Sequence, residues 1–213
     1  MVEEPNLRVH RTWVGPSPLL GPSLWVWVQG CPRRCPGCFN LESLSFEGGE
    51  AVRVGELALR CTEAGVNLVL SGGEPFEQAR ALAALCRLVR ERRPATEILV
   101  YSGYSLEELL APTMADARTL LAEVDLLIDG PYDRTRPSDH ALVGSDNQRL
   151  FFLSARIERT RVEALSAPRL SAELSRGRLR LVGTGSAETD MHRVVREIRA
   201  QGVVLAPERR RAD

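Results

Sequence analysis

The sequence contains no lysine, so all 28 of its basic residues are arginines. A Schiff-base mechanism and a Walker-type phosphate loop each require a lysine, and both are therefore excluded. The 28 acidic residues bring the formal net charge to zero. Overall charge thus gives no basis for binding nucleic acid or a membrane surface, and we expect neither as a partner.

Long apolar runs are also missing. The run from Leu24 to Val28 is bounded by Pro22 and Gln29 and has only the length of a strand, whereas a membrane-spanning helix needs about 20 apolar residues. The first residues, Met-Val-Glu-Glu-Pro, lack the basic and apolar regions of a secretory signal. We expect a cytoplasmic protein whose 213 residues form one sizeable core, or one domain with an appendage.

Three of the five cysteines lie in one short stretch with the spacing CxxxCxxC, namely Cys31, Cys35 and Cys38. Pro36 removes a backbone donor and Gly37 weakens helical structure, so this stretch is predicted to be a loop that wraps around a ligand. Three soft thiolates suit an iron–sulfur cluster or a zinc ion. Three protein ligands leave one coordination position open for a further ligand.

Other roles for the cysteines fit the sequence less well. Their odd number and close spacing disfavour disulfide bonds. Zinc needs a fourth ligand, but His10, His140 and His192 are far from the loop and lack finger-like spacing. Cys61 and Cys86 have no thiol neighbour at ligand spacing, and we expect both to be small buried residues. An iron–sulfur cluster is therefore favoured over zinc.

A second motif joins a predicted buried strand, Val66 to Leu70, to a predicted helix from about Phe76 to Arg92. Its residues are Gly72, Gly73, Glu74 and Pro75. The two glycines permit a ligand to approach the backbone, and the proline suits the first turn of a helix. The glutamate beside this opening is an anion that can accept a hydrogen bond from an ammonium group. Taken alone, the motif also fits an ordinary strand–turn–helix connection.

The two motifs together resemble the radical S-adenosylmethionine (SAM) superfamily. The fuller string from Gln29 to Asn40, Gln-Gly-Cys followed by Cys-Pro-Gly-Cys-Phe-Asn, is similar to the branch that activates glycyl-radical enzymes, above all the activases of anaerobic ribonucleotide reductases. The resemblance covers about Trp13 to Ser154. It implies that the three loop cysteines hold a [4Fe–4S] cluster whose unique iron binds the amino and carboxylate groups of SAM. It also implies that the Gly-Gly-Glu-Pro motif binds the methionyl amino group.

An aromatic residue directly before the third cysteine packs on the adenine of SAM in many radical SAM proteins. Gly37 occupies that position here, as it does in the reductase activases. Phe39 is then the substitute candidate for the adenine contact. Arg33 and Arg34, in the same loop, are candidates to moderate the negative charge of the cluster or to recruit an acidic donor, or else form a solvated pair.

Polar residues also follow the next two predicted strands. Ser102 and Gly103 come after the strand from Glu97 to Tyr101, and Asp129 ends the strand that begins at Asp125. The carboxyl ends of strands are where α/β folds bind ligands. In the reductase activases the first of these strand ends lies beside the SAM ribose, so the resemblance implies that Ser102 and Gly103 contact SAM. Asp129 is either a ligand contact or a turn-forming residue.

A third hallmark of the activases follows a polar stretch, Asp133 to Val143, that is predicted to be a mobile loop. It reads Gly-Ser-Asp-Asn-Gln-Arg and leads into a strand predicted from Leu150 to Leu153. The resemblance implies that its last three residues, Asn147, Gln148 and Arg149, line the SAM or partner side of the cleft. As bare residues they also fit a strand cap.

Alternating strands and helices predict an α/β fold with a mainly parallel sheet. With the resemblance, residues 1–154 are expected to form a partial (β/α) barrel of the radical SAM type, with the ligands at the carboxyl ends of the strands. Residues 155–213 are expected to form a small C-terminal α/β extension. It consists of a hairpin within 169–182, a helix over 190–200 and a strand over 203–206.

The activity that the resemblance implies is reductive cleavage of SAM to methionine and a 5′-deoxyadenosyl radical, with no side chain needed as a general base. The substrate is then a backbone glycine of a separate glycyl-radical enzyme, and the electron comes from a flavodoxin- or ferredoxin-like donor. Two alternatives stay open. One is a small-molecule radical SAM enzyme such as a 7-carboxy-7-deazaguanine synthase-like protein, and the other is a non-catalytic iron–sulfur or zinc module.

Overall fold

The computed structural model describes residues 5–165, the strands at 171–175 and 178–182, and the single helical residues Arg196 and Ala200. Its strands are β1 (Asn6–Ser17), β2 (Gly21–Val28), β3 (Glu50–Arg53), β4 (Asn67–Gly72), β5 (Ile98–Tyr101), β6 (Leu126–Asp129), β7 (Arg149–Phe152), β8 (Ser171–Ser175) and β9 (Arg178–Val182). Its helices are α1 (Val54–Glu63), α2 (Ala79–Arg92), α3 (Leu106–Leu110), α4 (Ala117–Leu121) and α5 (Arg159–Glu163). Short 3₁₀ turns lie at Leu41–Ser43, Pro75–Gln78 and Pro112–Met114.

Seven strands form one open sheet in the order β3-β1-β2-β4-β5-β6-β7, with β3 and β7 at its edges. The four neighbouring strands β2, β4, β5 and β6 are parallel to one another. The outer pairings are antiparallel. The predicted α/β class is confirmed, although the parallel strands make up only the middle of the sheet.

Each face of the sheet carries its own hydrophobic core, because successive side chains of a strand point to opposite faces. In β2, Leu24, Val26 and Val28 pack into the core beneath α1, α2 and α4. Trp25 and Trp27 point to the other face, which we call the inner face. The parallel strands β2, β4, β5 and β6 are mostly apolar, so they require an apolar core on each face of the sheet.

The first half of the sheet differs from its prediction. The sequence favours an edge strand at Leu7 to Val14 and a loop over 15–23, but β1 and β2 form a hairpin closed at Ser17 and Gly21. The strand β3 then pairs with the outer side of β1 and becomes the edge. The predicted strand is confirmed, but its edge position was wrong, because β3 has only four residues and no apolar pattern that would reveal it. The predicted loop shortens to a turn at residues 18–20, because Pro16 and Pro22 are paired within the hairpin.

The C-terminal hairpin is confirmed, since β8 and β9 pair antiparallel. The predicted helix over 190–200, apart from Arg196 and Ala200, and the strand over 203–206 lie outside the described residues. Before the hairpin, Ile157 and Val162 are buried in the inner-face core together with Trp25. In the described ranges, no helix is both long enough and apolar enough to cross a membrane.

All four parallel strands end at the same edge of the sheet, which we call the mouth. Their register aligns Val28 with Gly72 and Tyr101 with Ile128. The residues that follow these strands therefore meet at the mouth. They include the cysteine loop, the Gly-Gly-Glu-Pro turn and the Ser102–Tyr104 turn.

Candidate functional site at the mouth of the sheet

The cysteine loop leaves β2 and is closed at its base by backbone hydrogen bonds. The N–H of Gly30 donates to the carbonyl of Ser43 at 2.8 Å, and that of Cys31 donates to Leu44 at 3.1 Å. The loop is irregular between these bonds, as its proline and glycine predict. Protein contacts alone therefore fix where the loop begins and ends.

Gln29 strengthens this closure from a buried position. Its side-chain amide donates to the carbonyl oxygen of Ser45 at 2.7 Å and to that of Glu42 at 3.2 Å. Gln78, after the second motif, donates in turn to the Gln29 carbonyl at 3.1 Å. One residue thus joins both ends of the cysteine loop to the turn that follows β4.

The loop reverses direction through left-handed backbone conformations. Gly30 and Gly37 have φ values of 98° and 76°, which glycine adopts without strain. Arg34 has a φ of 47° and is the one non-glycine residue with positive φ in the described part of the chain. A non-glycine residue in this region is strained by about 1 kcal/mol or more and points to a constrained site.

Backbone N–H groups face the sulfur atoms of the loop. Burial raises the pKa of the Cys31 thiol, while hydrogen bonds from the backbone of Arg33 and Arg34 oppose that rise. Burial also raises the pKa of the Cys38 thiol, and the N–H of Asn40 lies 3.4 Å from its sulfur. N–H groups directed at cysteine sulfur stabilise negative charge there, as in iron–sulfur sites.

The three thiols are electrostatic neighbours, because the negative charge of Cys35 raises the pKa of Cys38 and that of Cys38 raises the pKa of Cys31. As the side chains stand, no three histidine, cysteine, aspartate or glutamate side chains among the described residues are gathered closely enough to hold a metal ion. Soft donors, sulfur-directed N–H groups and a closed loop base nevertheless fit an iron–sulfur cluster.

The Gly-Gly-Glu-Pro turn packs directly on the start of the cysteine loop. A Cβ on Gly73 would lie 2.2 Å from the carbonyl oxygen of Gly30, and one on Gly72 would lie 2.5 Å from the backbone nitrogen of Val28. The N–H of Glu74 donates to that Gly30 carbonyl at 2.8 Å. In this structure the glycines admit the neighbouring backbone, whereas the sequence alone suggested an approach by a ligand.

Glu74 is buried beneath the mouth with 1% of its surface exposed. Its carboxylate accepts hydrogen bonds from the N–H of Phe76 at 3.0 Å, the hydroxyl of Ser102 at 3.0 Å and the N–H of Gly103 at 2.7 Å. All these donors are neutral, and no ion pair in the described ranges includes Glu74. Burial raises the pKa of Glu74 to about 7, although the three hydrogen bonds oppose the rise.

The Ser102–Tyr104 turn is also held by the cysteine loop. The guanidinium of Arg33 lies over the Tyr104 ring, 5.0 Å from its centre, and donates to Glu108 at 2.9 Å. The Tyr104 hydroxyl donates to Glu77 at 2.7 Å. The Arg33 side chain is only 25% exposed, so Arg33 is not the solvated loop residue that the sequence offered as an alternative.

Asp129 ends β6 and is fully buried, but its carboxylate already has strong partners. It accepts from the N–H of Leu106 at 2.6 Å and from two nitrogens of Arg149 at 2.6 and 3.0 Å. Arg149 also binds Glu107 through two hydrogen bonds. Asp129 therefore fixes the start of α3 and is paired with a cation.

Asn147 and Gln148 hold the backbone of the segment that follows β6. The Asn147 amide donates to the carbonyl of Pro131 at 2.7 Å, and that of Gln148 donates to Gly130 at 3.0 Å. Gln148 also accepts from the N–H of Gly144 at 2.7 Å. The Asn147 side-chain oxygen is buried and has no hydrogen-bond partner, which leaves one acceptor unused at this position.

The segment over 133–143 is packed more closely than its polar sequence suggests. Ala141, Leu142 and Val143 are buried, and the last two belong to the inner-face core. The adjacent Tyr132 ring packs on Phe39 at 4.8 Å between ring centres, with Phe39 44% exposed. The segment therefore borders the cysteine loop, and Phe39 stays partly exposed beside it.

Comparison with protein families and with curated proteins agrees with this arrangement. Residues 20–151 match the model of a 4Fe-4S single cluster domain. The chain is 31% identical over 132 residues to the anaerobic ribonucleoside-triphosphate reductase-activating protein of Enterobacteria phage T4, covering 59% of this chain and 81% of the relative. The protein of that name from Pasteurella multocida is 35% identical over 139 residues, covering 59% and 84%.

The chain belongs to this family of activating proteins. The matching protein of Escherichia coli K12 is 28% identical over 135 residues, covering 58% of this chain and 83% of the relative. The family model supports an iron–sulfur cofactor, and the named relatives confirm the predicted membership of the glycyl-radical activating branch. The matched part ends at about β7, so the C-terminal hairpin lies outside the domain that the family model covers.

Sequence reasoning missed several residues that build the mouth. The sequence shows Gln29 only as part of a motif and suggests no more than packing for Tyr104. For Glu107 and Glu108 it suggests only a place in the first turn of a helix. Their partners are 13 to 75 residues away in the chain, for example 75 for Glu108 and Arg33. Such distances leave no local signal. The capping box at Ser105 and Glu108 is the one feature that its spacing makes visible.

Proposed function

We propose that this protein is a radical SAM activating enzyme. In this proposal it cleaves SAM reductively to methionine and a 5′-deoxyadenosyl radical, which abstracts a hydrogen atom from a backbone glycine of a partner enzyme. The products are 5′-deoxyadenosine and a glycyl radical on the partner. By analogy with the names of its relatives, the partner is an anaerobic ribonucleotide reductase or a similar glycyl-radical enzyme.

The cofactor-binding residues follow from the same proposal. Cys31, Cys35 and Cys38 would hold a [4Fe–4S] cluster, which supplies the electron for SAM cleavage when it is bound. The sulfur-directed N–H groups of the loop and its closed base support this assignment. Cys61 and Cys86 are buried in the core beneath α1, α2 and α4, away from the mouth.

The observation that carries the proposal is the buried Glu74 carboxylate without a counter-ion. A buried carboxylate that lacks a cation is costly, and a ligand that brings an ammonium group offsets that cost. Its hydrogen bonds to Ser102 and Gly103 and its contact with the cysteine loop bring three separate motifs together. SAM carries an ammonium group, which we assign to Glu74.

The other predicted site residues divide into two groups. We propose that Phe39, whose side chain is partly exposed, contacts the adenine. We also propose that the surface around Glu74 is shaped by Gly72, Gly73, Pro75, Ser102 and Gly103. Asp129, Asn147 and Gln148 would act at SAM only through the backbone segments that they hold. No residue acts as a general base in this scheme.

The open seven-stranded sheet is compatible with a partial (β/α) barrel, which we propose as the fold of the radical SAM core. The division at residue 154 stays a prediction. The buried positions of Ile157 and Val162 favour a core that extends to about residue 165. We propose that the remaining residues help to dock the partner enzyme, and that the electron donor is a flavodoxin- or ferredoxin-like protein.

The first experiment is anaerobic reconstitution with iron and sulfide, followed by dithionite and SAM. We expect release of 5′-deoxyadenosine by the wild type and its loss in Cys35→Ala, together with loss of bound iron. Cys61→Ala removes a thiol outside the loop and is the matched control, with unchanged iron content. A fully reconstituted wild type that releases no 5′-deoxyadenosine would refute the proposal and favour a non-catalytic iron–sulfur module.

The second experiment identifies the class of substrate. Adding a candidate anaerobic reductase should give a glycyl-radical doublet in the EPR spectrum, in proportion to the SAM cleaved. Cleavage of SAM without this doublet for any glycyl-radical enzyme, but with turnover of a small molecule, would favour the alternative of a deazaguanine synthase-like enzyme.

A further inference from the structure

We propose that Arg33 is a positioning residue that holds the cysteine loop against the Ser102–Tyr104 turn, and so keeps the two halves of the SAM site at a fixed spacing. This inference rests on the proposed function for its consequence, but its structural part does not depend on turnover.

The end of the Arg33 side chain has two partners beyond the cysteine loop. Its guanidinium lies 5.0 Å from the centre of the Tyr104 ring and pairs with Glu108 at 2.9 Å. A planar guanidinium is suited to stacking on an aromatic ring while donating in its own plane. Tyr104 lies in the connection between β5 and α3, and Glu108 lies in the first turn of α3.

The aliphatic part of Arg33 lies across Gly103. A Cβ built on Gly103 would be 3.1 Å from Cγ of Arg33, which is closer than nearly all natural contacts. The N–H of this same glycine donates to Glu74 at 2.7 Å. Arg33 therefore packs against Gly103. The N–H of Gly103 in turn binds Glu74, the carboxylate that we assign to the SAM ammonium group.

The partners of Arg33 are themselves fixed, so they can resist its displacement. Glu108 accepts from the N–H of Ser105 at 2.7 Å in a capping box at the start of α3. The Tyr104 hydroxyl donates to Glu77, which follows the Gly-Gly-Glu-Pro turn. Arg33 thus links the cysteine loop, the β5 turn and the turn after β4 into one unit.

Arg34 offers a matched control. It follows Arg33 directly, carries the same charge beside the same cysteines, and is exposed. An effect that comes only from positive charge near the cysteines should be similar for the two arginines. An effect that comes from packing on the turn should be confined to Arg33.

The test uses the full-length, anaerobically reconstituted protein and compares Arg33→Ala, Arg33→Lys and Arg34→Ala. We measure bound iron, the dissociation constant of SAM by calorimetry, and hydrogen exchange of the amides at 102–105. For Arg33→Ala we expect unchanged iron, SAM binding weaker by about tenfold, and faster exchange. At saturating SAM, the cleavage rate should change less than about twofold. Lysine should restore part of the binding, and Arg34→Ala should leave hydrogen exchange at 102–105 unchanged.

Gly103→Ala gives a second route if Arg33→Ala folds poorly. Its new methyl group should displace Arg33 and weaken SAM binding in the wild type, but add little in the Arg33→Ala background, where the contact is gone. Additive effects of the two substitutions would contradict the proposed contact.

The role of Arg33 is overturned if Arg33→Ala binds SAM within twofold of the wild type with unchanged exchange at 102–105. It is also overturned if the substitution removes iron without affecting exchange, or if lysine restores binding completely, because charge beside the cluster would then explain the effect. Hydrogen exchange needs neither SAM nor turnover, so failure of the proposed function remains distinguishable from failure of this inference.

Discussion

Two buried carboxylates at opposite ends of the parallel strands are stabilised in different ways. Where β6 begins, Asp125 is fully buried and accepts from Arg90 at 2.7 Å and from the N–H of Ile98 at 2.8 Å. At the mouth, Glu74 is just as buried but accepts only from neutral groups. We call the end with Asp125 the closed end.

This comparison distinguishes a buried carboxylate that is neutralised within the fold from one that is not. A buried charge with a cation and several hydrogen bonds is satisfied within the protein, so it needs no ligand. A buried carboxylate without a cation leaves part of its desolvation cost uncompensated, which raises its pKa. Residues with such shifts concentrate at functional sites. Glu74 at the mouth therefore retains a buried charge without a counter-ion, which supports its proposed role in binding a ligand, whereas Asp125 at the closed end does not.

The largest effect is expected when Asp125 at the closed end loses its closest cation and keeps only the longer contact with Arg156 at 3.5 Å. Arg90→Leu leaves the Asp125 carboxylate buried with weaker partners, which should lower the free energy of unfolding by about 3–5 kcal/mol. Urea denaturation measures this loss. Arg87→Leu is the matched control on the same helix, because that side chain is 51% exposed in its pair with Glu123. The control should change stability by less than about 1 kcal/mol.

SAM cleavage per folded molecule should stay normal in Arg90→Leu, since Arg90 is at the far end of the strands. A loss of stability below about 1 kcal/mol would show that the remaining partners of Asp125 satisfy it without Arg90; these partners are Ile98, Ser154 and Arg156. The contrast between the two ends would then disappear.

Glu74 should make stability fall as pH rises. Because its pKa is raised to about 7 in the folded protein, the folded state keeps a proton between pH 4.5 and 7 that the unfolded state has released. Stability from this group is therefore complete below about pH 4.5 and decreases through the window to about pH 7, by about 3 kcal/mol in total. Denaturation of the SAM-free protein at several pH values measures the slope.

Glu74→Gln isolates this contribution, because glutamine does not titrate and its lost hydrogen bond adds only a constant. The difference in stability between wild type and variant should follow the stated slope. His10 contributes in the opposite direction, since burial lowers its pKa, but it is common to both proteins. A flat difference between pH 5 and 8 would mean that Glu74 is already balanced in the folded protein.

A substitution at Asp129 tests whether the two buried carboxylates at the mouth, Asp129 and Glu74, have different roles. Asp129→Asn removes the ion pair with Arg149 while keeping one oxygen to accept from Leu106, and we expect a loss of about 2 kcal/mol in stability. The affinity for SAM should change little once the protein is folded. Unchanged stability with a large loss of SAM affinity would instead place Asp129 with Glu74 as a ligand-binding residue, as the sequence first suggested.

The strands of the mouth were predictable because their apolar runs are bounded by glycine, proline and polar residues. Leu24 to Val28, Val66 to Leu70 and Glu97 to Tyr101 each correspond to an observed strand within a few residues. The cysteine and Gly-Gly-Glu-Pro motifs were visible for the same reason, since their residues are adjacent in the chain. Local patterns therefore located the mouth.

Pairings between distant residues were not predictable. Nothing near Gly73 in the sequence indicates that the carbonyl of Gly30 will occupy the space of its missing side chain. Likewise, no local pattern distinguishes Asp125, which acquires Arg90, from Glu74, which acquires no cation. Whether a charged residue serves stability or binding depends on these contacts, and they arise only when the chain is folded.

The smallest effect on stability is expected for an exposed ion pair whose contact distance equals that of the buried pair at the closed end. Arg80 pairs with Asp116 at 2.7 Å, the distance found between Arg90 and Asp125, but the two side chains are 79% and 49% exposed. Arg80→Gln should change the free energy of unfolding by less than about 0.5 kcal/mol, and by even less at high salt. Urea denaturation at low and high salt measures this. A loss comparable to that of Arg90→Leu would show that the contact distance, and not burial, determines what a counter-ion contributes, and the interpretation of Glu74 would then lose its physical basis.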